Sequence, residues 1–469
     1  MNKKGLLGGV GIVIVAAALI APKFVAPQVE DTLKQHVEVI NALPAYKASV
    51  VSFDSGWFSS SATISLGADF GSLHPDASVP DDVSVEVVVN VQHGPVLMRF
   101  APGLGMASFE AFANDDGLRE YLDWEENTPF YHLTGSAGFS GGISYNDSIV
   151  PFSFKSDEEQ TELTTLSYEG EGEISLDEFS YEGELEGAEV LLSDQSISIG
   201  KLKLETEAKG DILEIMKGEL YEGDMSIKLN EIIAYQPDDV ELFKLKDFGL
   251  EFVNYFSDDK KRMNIDMNYS VDSLEAEDFD LEDLKLKMAF HNIDSEFLFA
   301  YNQMVKQVYD QNPDEIEVAT QKLVKENLPQ LLQAEPEFVI SEFSGEMEPG
   351  NFKGNLSAKL VGISQLPDNI ENIDFWLSSL IVDSSIAIDK PLLKWIAEQQ
   401  MLSTLRIQKP GADEAELQEM AEQQAPTMIN MYLEQGLLQE EDDVYRSEFL
   451  MEDGWGVLNG YRMPLTKMM

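Results

Sequence analysis

From Val83 to Val91 every second residue is valine, and the positions between them are Ser84, Glu86, Val88 and Asn90. Side chains of an extended chain point alternately to opposite faces, so this run fits a strand with one apolar and one polar side. The same period of two marks Ala62, Ile64 and Leu66. It returns through Ile174–Phe179, Val190–Ile199, Lys201–Thr206, Met225–Leu229 and Met263–Tyr269, where Ile265, Met267 and Tyr269 share a face. Strands that are dry on one side and wet on the other belong to antiparallel sheets. The expected fold is α+β and β-rich: a large antiparallel meander sheet, a helical part near the C-terminal third, and one transmembrane helix ahead of both.

A short repeat lies inside the β-rich stretch. Ser167-Tyr168-Glu169-Gly170-Glu171 returns as Ser180-Tyr181-Glu182-Gly183-Glu184, with a looser echo at Tyr221-Glu222-Gly223-Asp224. We read the copies as sister hairpins stacking tyrosines on one face of a sheet, each glycine supplying the positive φ of a turn. An acidic calcium loop is the alternative. It needs Asp at its first position, and counting back from Gly172 that position holds Ser167.

From Phe297 the period lengthens. Phe297, Tyr301, Met304 and Val308 form one helical stripe; Ile316, Ala319, Leu323 and Val324 form another, which Pro329 and Pro336 are expected to end. Gly354–Ile363 and Phe375–Ile388 read as strand, and Leu392, Trp395 and Ile396 begin a further helix. Asp413 with Glu416 resembles a capping box opening Glu414–Glu434, with Pro426 inside that helix and Gly436 as its C-terminal cap. Tyr445–Met451, a turn at Glu452-Asp453-Gly454, and Val457–Tyr461 close the chain as a hairpin. No Pro/Gly/Ser-rich linker divides it. The expected organisation is an anchor over 1–26, an amphipathic helix plus meander over 27–290, and helices with strands and a closing hairpin over 291–469, packed on the same assembly.

The start of the chain follows a different logic. Lys3 and Lys4 precede an uninterrupted apolar run, Gly5 to Ala21, closed by Pro22 and Lys23. Its length is near the short end for a bilayer-spanning helix, which usually needs about 20 residues, and the basic pair favours a cytoplasmic N-terminus. We expect a single-pass contact with the cytoplasmic membrane through Gly5 to Ala21, leaving the bulk of the chain outside. A cleavable signal peptide is the alternative. Ala16 and Ala18 offer small residues, but a cut there leaves Leu19 and Ile20 behind, and Phe24 is too large three residues before a cut at Ala26. Gly5, Gly9, Val13, Ala17 and Ala21 set small residues on one helical face, which lets two copies approach as a homodimer. Beyond Pro27, Val29, Leu33, Val37 and Ile40 have the spacing of an amphipathic helix ending before Pro44.

Charge then removes whole classes of function. With 32 basic and 85 acidic residues the formal charge is −53. A nucleic-acid binder needs clustered Lys and Arg to displace counterions, and none occurs. The acids run from end to end rather than in a tail, as general solubility or salt adaptation would place them, and they repel anionic headgroups. There is no cysteine, which excludes disulfides, thiolate metal sites and cysteine nucleophiles. Twenty-five Phe, fifteen Tyr and five Trp supply a real core.

Motifs for chemistry are sparse. The histidines are His36, His74, His93, His132 and His291, and no two stand at a metal-binding spacing. His93, with Gly94 and Pro95 at the end of the valine strand, reads first as a turn whose histidine caps backbone groups. As a general base it would need a nucleophile beside it. G-x-S-x-G, Walker and dinucleotide glycine patterns are missing. No cofactor is implied. Met304, Met420, Met428 and Met431 read as core rather than an adaptable groove.

Four pieces together resemble the YdgA-like family of bacterial inner-membrane-anchored proteins, a family of unknown function. They are the Lys3-Lys4 anchor, Gly56-Trp57-Phe58-Ser59-Ser60 leading into Ala62–Leu66, Gln92-His93-Gly94-Pro95, and Asn459-Gly460-Tyr461-Arg462-Met463. The resemblance implies an inner-membrane protein facing the periplasm. It singles out Trp57, Phe58, His93, Gly94, Pro95, Asn459 and Gly460 as motif positions and carries over no catalytic residue. Two functions follow for testing: a non-enzymatic envelope scaffold or lipid- or partner-binding protein, and a periplasmic hydrolase using a cleft at His93 or His132.

Overall fold

A computed structural model describes residues 37–38, 40–41, 46–68, 83–113, 118–120, 122–156, 161–236, 240–276, 279–311, 316–367, 369 and 372–465. The chain divides into two units. The first comprises Met1–Leu242, Val253–Tyr255 and Glu296–Glu326; the second comprises Phe243–Phe252, Phe256–Ser295 and Asn327–Met469. The apolar run Gly5–Ala21, with the expected anchor and homodimer contact, and most of the amphipathic helix lie outside the described residues. Of that helix, Val37–Glu38 and Ile40–Asn41 are helical, with Ile40 buried and Val37 packed on the first unit's core. No helix among the described residues is long and apolar enough to cross a membrane.

The first unit is an antiparallel meander. The strands of its main sheet are β1 (Tyr46–Ser55), β2 (Ser59–Ala68), β3 (Val83–His93), β4 (Ala107–Ala113), β5 (Leu122–Trp124), β6 (Tyr131–Ala137), β7 (Ile143–Ile149), β8 (Phe152–Ser156), β9 (Thr161–Thr165), β10 (Tyr168–Ile174), β11 (Glu178–Leu185), β12 (Ala188–Leu191), β13 (Ser196–Ile199), β14 (Leu202–Lys209) and β15 (Glu222–Tyr235), and Val96–Leu97 pairs with Gly103–Leu104 in a separate small ribbon. Pairing runs β1-β2-β3-β4-β6-β7-β10-β11-β14-β15. The valines behave as their alternation demands: Val85, Val87, Val89 and Val91 are buried against Phe109 and Leu133.

A crease crosses this sheet. Residues 143–156, 161–174, 178–191 and 196–209 are each one long strand broken near its middle, at Val150–Pro151, Leu166–Ser167, Glu186–Gly187 and Gly200–Lys201. The register brings the breaks into one line, since β8 pairs with β9, β9 with β12, and β12 with β13 beyond it. Pro151 has no N–H for a ladder, and Gly187 holds φ +153, so the sequence marks the line with residues that tolerate it. Leu122, Trp124 and Phe154, beyond the crease, join the same core as Phe109 and Tyr145.

The second unit repeats the meander with longer strands. It contains most of β16 (Glu241–Phe256), then β17 (Arg262–Ala276), β18 (Phe279–Asp294), β19 (Glu337–Met347), β20 (Gly350–Leu360), β21 (Leu380–Asp389), β22 (Gln439–Glu441), β23 (Val444–Glu452), β24 (Trp455–Leu458) and β25 (Tyr461–Pro464). Strands β17 to β21 pair in chain order and β23 follows β21. The described helices are α1 (Ile212–Met216), α2 (Ser295–Gln311), α3 (Ile316–Gln333), α4 (Ile373–Ser379), α5 (Lys390–Gln408) and α6 (Glu414–Glu434). Asp413 caps α6, its carboxylate accepting from the Ala415 N–H at 3.0 Å, and Gly436 ends it at φ +70. Helices α5 and α6 share two small cores; Met420 and Met428 pack into them while Met431 stays exposed.

Several expectations need correction. Ile174–Phe179 and Val190–Ile199 are not single strands; each contains a turn, at 175–177 and 192–195, because alternation continues in phase through a tight hairpin. Phe375–Ser379 is helix α4, and strand begins only at Leu380. Pro329 does not end α3, which continues to Gln333 with Leu332 buried; the stop comes just before Pro336. The repeat is not two hairpins but the two arms of one, β10 and β11, with Gly170 opposite Gly183. Its glycines are extended rather than turn-forming.

Candidate functional site

The first two family-like motifs meet at the end of β2 and β3. His93 donates its backbone N–H to the Phe58 carbonyl at 2.9 Å, and its ring Nε2 lies 2.9 Å from the buried Ser60 Oγ. The ring Nδ1 faces the Trp57 carbonyl at 3.4 Å, and Ser60 Oγ also touches Ser55 Oγ at 3.2 Å. The Gly94–Pro95 peptide is cis, and the Gly94 N–H bonds to the Met106 carbonyl. A Cβ at Gly94 would sit 1.9 Å from the Gly105 carbonyl, so no other residue fits. His93 therefore does more than cap a turn: it ties β2 to β3 through a side chain as well as the backbone. The arrangement has a nucleophile-type hydroxyl beside an imidazole, but the group on Nδ1 is a carbonyl rather than a carboxylate.

The third motif closes a different strand end. Asn459 and Gly460, at φ +50 and +85, form the two-residue turn joining β24 to β25, as Leu458 opposite Tyr461 requires. Asn459 is buried. It donates from Nδ2 to the Gly436 carbonyl at 2.8 Å, and its Oδ1 accepts from the Glu448 N–H at 2.7 Å. This asparagine clamps the end of α6 to the closing hairpin. Asn459 and the His93 motif belong to different units.

His132 and His291 sit on polar sheet faces. His132 Nε2 lies 3.0 Å from Glu110 and borders a cleft of about 380 Å³ with Thr134, Ser148, Glu169 and Glu182; His291 Nε2 lies 3.0 Å from Asp266. His36 and His74 fall outside the described residues. Among the described residues no group of three or more acidic or histidine side chains is placed to hold a metal ion.

A buried polar cluster was not singled out from sequence. Asp147 points to the inner face of β7, between Tyr145 and Ile149, and is almost fully buried. Tyr181 donates its hydroxyl to Asp147 Oδ1 at 3.1 Å and also contacts Tyr168 through its hydroxyl. The buried Tyr131 hydroxyl also faces the Asp147 carboxyl, and the Tyr145 and Tyr181 rings stack at 6.2 Å. Burial pushes the Asp147 carboxyl up to about 6, against the opposing effect of the Tyr181 hydrogen bond. Burial, and then the Asp147 charge, raise Tyr181; burial raises Tyr168 to about 12. The repeat glycines make this cluster sterically feasible. A Cβ at Gly170 would meet both Asp147 Oδ1 and the Tyr181 hydroxyl at 2.3 Å, and one at Gly172 would meet the Tyr145 ring at 2.3 Å. The signal was in the sequence: Ile143, Tyr145, Asp147 and Ile149 alternate in phase, which puts an acid on an apolar face.

The second unit carries an apolar sheet face that is mostly half-buried. Directly paired residues share a face. One row reads Met267, Met288, Ile340, Leu356, Ser384 and Phe449; the next reads Ile265, Phe290, Phe338, Ala358, Val382 and Met451. The opposite face carries Ser270, Lys285, Ser344, Lys353, Ala387 and Arg446 in one row. A bulge between Ile340 and Phe343 keeps Phe343 on the apolar side, where its ring packs 5.0 Å from Phe352. Phe290, Phe343 and Ile386 remain 40–42% exposed, and the flanking apolar residues of β17 to β19 are mostly half-buried. The described core of this unit lies instead between α5 and α6, reaching the sheet at Tyr445.

Fold and sites together define a large, β-rich antiparallel meander protein with a half-buried apolar sheet face. The chain belongs to the family described as bacterial protein of unknown function (DUF945), whose profile matches residues 1–466. It is similar to the protein YdgA of Escherichia coli K12, at 21% identity over 99% of this chain and 95% of that protein. No solved structure matches it.

Proposed function

We propose that this is a membrane-tethered periplasmic protein without enzymatic activity, which holds a lipid acyl chain against the apolar face of β17 to β21. The observation that carries this reading is that Phe290, Phe343 and Ile386 stay 40–42% exposed on the apolar face of β18, β19 and β21, while the opposite face carries Lys285, Lys353 and Arg446. A contiguous apolar surface left in water is unfavourable by roughly 25 cal/mol per Å², so an apolar ligand is its natural complement. The tether is the Gly5–Ala21 run, and the periplasmic side follows from the lysines before it. The test is organic extraction of residues 27–469, purified without detergent, followed by mass spectrometry. Near-stoichiometric phospholipid, lost in Phe343→Glu, is expected. A lipid-free protein would remove the reading.

The hydrolase alternative retains one specific support, the 2.9 Å contact between His93 Nε2 and Ser60 Oγ. With the proton on Nδ1, directed at the Trp57 carbonyl, Nε2 is free to accept from the serine. Non-enzymatic function predicts that a fluorophosphonate probe leaves the wild-type protein unlabelled. Labelling that disappears in Ser60→Ala would establish the serine as a nucleophile instead.

A further inference from the structure

Exposed apolar side chains crown one end of the first unit's sheet. The pairs Ser59–Gln92, His93–Ala107, Ala107–Ala137, Ala137–Ile143 and Ile143–Ile174 put four connections at the same end of the strands. These are Ser55–Ser59, Gly94–Met106, Gly138–Gly142 and Ser175–Asp177. They carry Trp57, 94% exposed, Phe58 at 80%, Met98 at 78%, Leu104 at 74%, Phe139 at 62% and Leu176 at 81%. Most of the strongly exposed large apolar side chains among the described residues are therefore gathered on one rim.

Two further observations give the rim a purpose. The first is charge. In a chain where 85 of 469 residues are acidic, Ser55–Ser59, Gly94–Met106 and Gly138–Gly142 contain no Asp or Glu, and Arg99 is their single charge. The second is bracing. Gln92 Oε1 accepts from the Met98 and Arg99 N–H groups at 2.9 and 2.7 Å, and Ser108 Oγ donates to the Arg99 carbonyl at 2.8 Å. The Met106 N–H bonds to the Ala137 carbonyl at 2.8 Å, and His93 ties the β1–β2 turn to the same platform. The apolar side chains are thus held out into solvent by a hydrogen-bonded base.

We propose that this crown docks on the surface of a phospholipid bilayer of low negative charge. Separate side chains projecting from successive turns suit the fluid headgroup–acyl boundary, where Trp and Phe are favoured, and each can settle to its own depth. Exclusion of acids from three of the four turns permits the approach, with Asp177 the one acid in the fourth, while the charge of −53 keeps the remainder off the membrane and disfavours anionic lipid. Strand β1 runs from Tyr46, where the chain arrives from its N-terminal run, to the crown at Ser55, roughly 30 Å along ten extended residues. The inference concerns the first unit alone and does not depend on a lipid held by the second.

Absence of cysteine makes the test direct. Leu104→Cys in the full chain is labelled with an environment-sensitive fluorophore and reconstituted into phosphatidylcholine vesicles with and without doxyl-labelled lipid. Asn146→Cys, exposed on the polar face of β7, is the control for mere proximity to the vesicle. The expected result is a blue-shifted label at 104, quenched by doxyl lipid at least about threefold more than the label at 146, as a side chain seated in the interface would be. The excess should vanish when Trp57, Phe58 and Phe139 are changed to Ser, surface changes that leave the core untouched. Equal weak quenching at both sites overturns the proposal. So does a blue shift at 104 that lipid does not quench and protein dilution reverses, which would assign the crown to contact between copies. Lipid extraction from residues 27–469 reads the second unit separately, so failure of one result leaves the other standing.

Discussion

Asp147 shows what burial does to a single carboxyl. Its pKa in the folded protein is raised to about 6 from an ordinary value of 3.8, so the folded state prefers the protonated form. The stabilisation from that preference is complete below pH 3.8 and is lost as pH rises through 6. The difference amounts to about 3 kcal/mol at 1.36 kcal/mol per unit. Asp147→Asn keeps the shape and removes the titration. Compared by urea denaturation, the variant, whose amide oxygen still accepts from Tyr181, should equal wild type near pH 4 and exceed it by about 2 kcal/mol at pH 8. A constant difference between the two across that range would mean the carboxyl is not the titrating group. The surrounding tyrosines and the repeat glycines were visible as a motif, but their meaning was not. Glycine in a strand is read from sequence as a turn, whereas here it clears space for a ring on the neighbouring strand.

Among the elements, legibility followed the strength of local signals. Helix α6 begins and ends where Asp413 and Gly436 say it should, because caps satisfy backbone groups that have no other partner. The closing hairpin was equally clear from Glu452-Asp453-Gly454, whereas Asn459-Gly460, read as part of its second arm, is a second turn. Boundaries failed where a pattern ran on through a turn, as at 175–177 and 192–195, since a tight hairpin preserves the alternation on which the reading rests. Helix α4 was missed because Phe375–Ser379 is too short to display a 3.6-residue period beside a strand. The Ser60–His93 contact was out of reach for another reason: it joins two motifs whose pairing register no local pattern specifies. At this scale the Asn459 clamp supplies the sharpest prediction. Asn459→Ala removes two side-chain hydrogen bonds and leaves a Cβ-bearing residue at φ +50, which should destabilise the protein by about 2–4 kcal/mol. Asn459→Gly, which retains the turn and loses the bonds, should fall between that variant and wild type in melting temperature.

Over the whole molecule, the formal charge of −53 opposes compaction. Raising salt from about 10 mM to about 150 mM shortens the screening length from roughly 30 Å to 8 Å. The melting temperature should therefore climb across that range and then flatten; a salt-independent value would show that the carboxylates are too well dispersed to repel one another. The pairing order adds a consequence for how such a chain acquires its shape. Most strands find their partner in the segment made just before them, the helical returns from β18 to β19 and from β21 to β23 being the long exceptions, so little chain entropy is spent on distant encounters. A polypeptide delivered N-terminus first can add one strand after another to a growing edge, without waiting for its C-terminus and without any oxidant to lock the product.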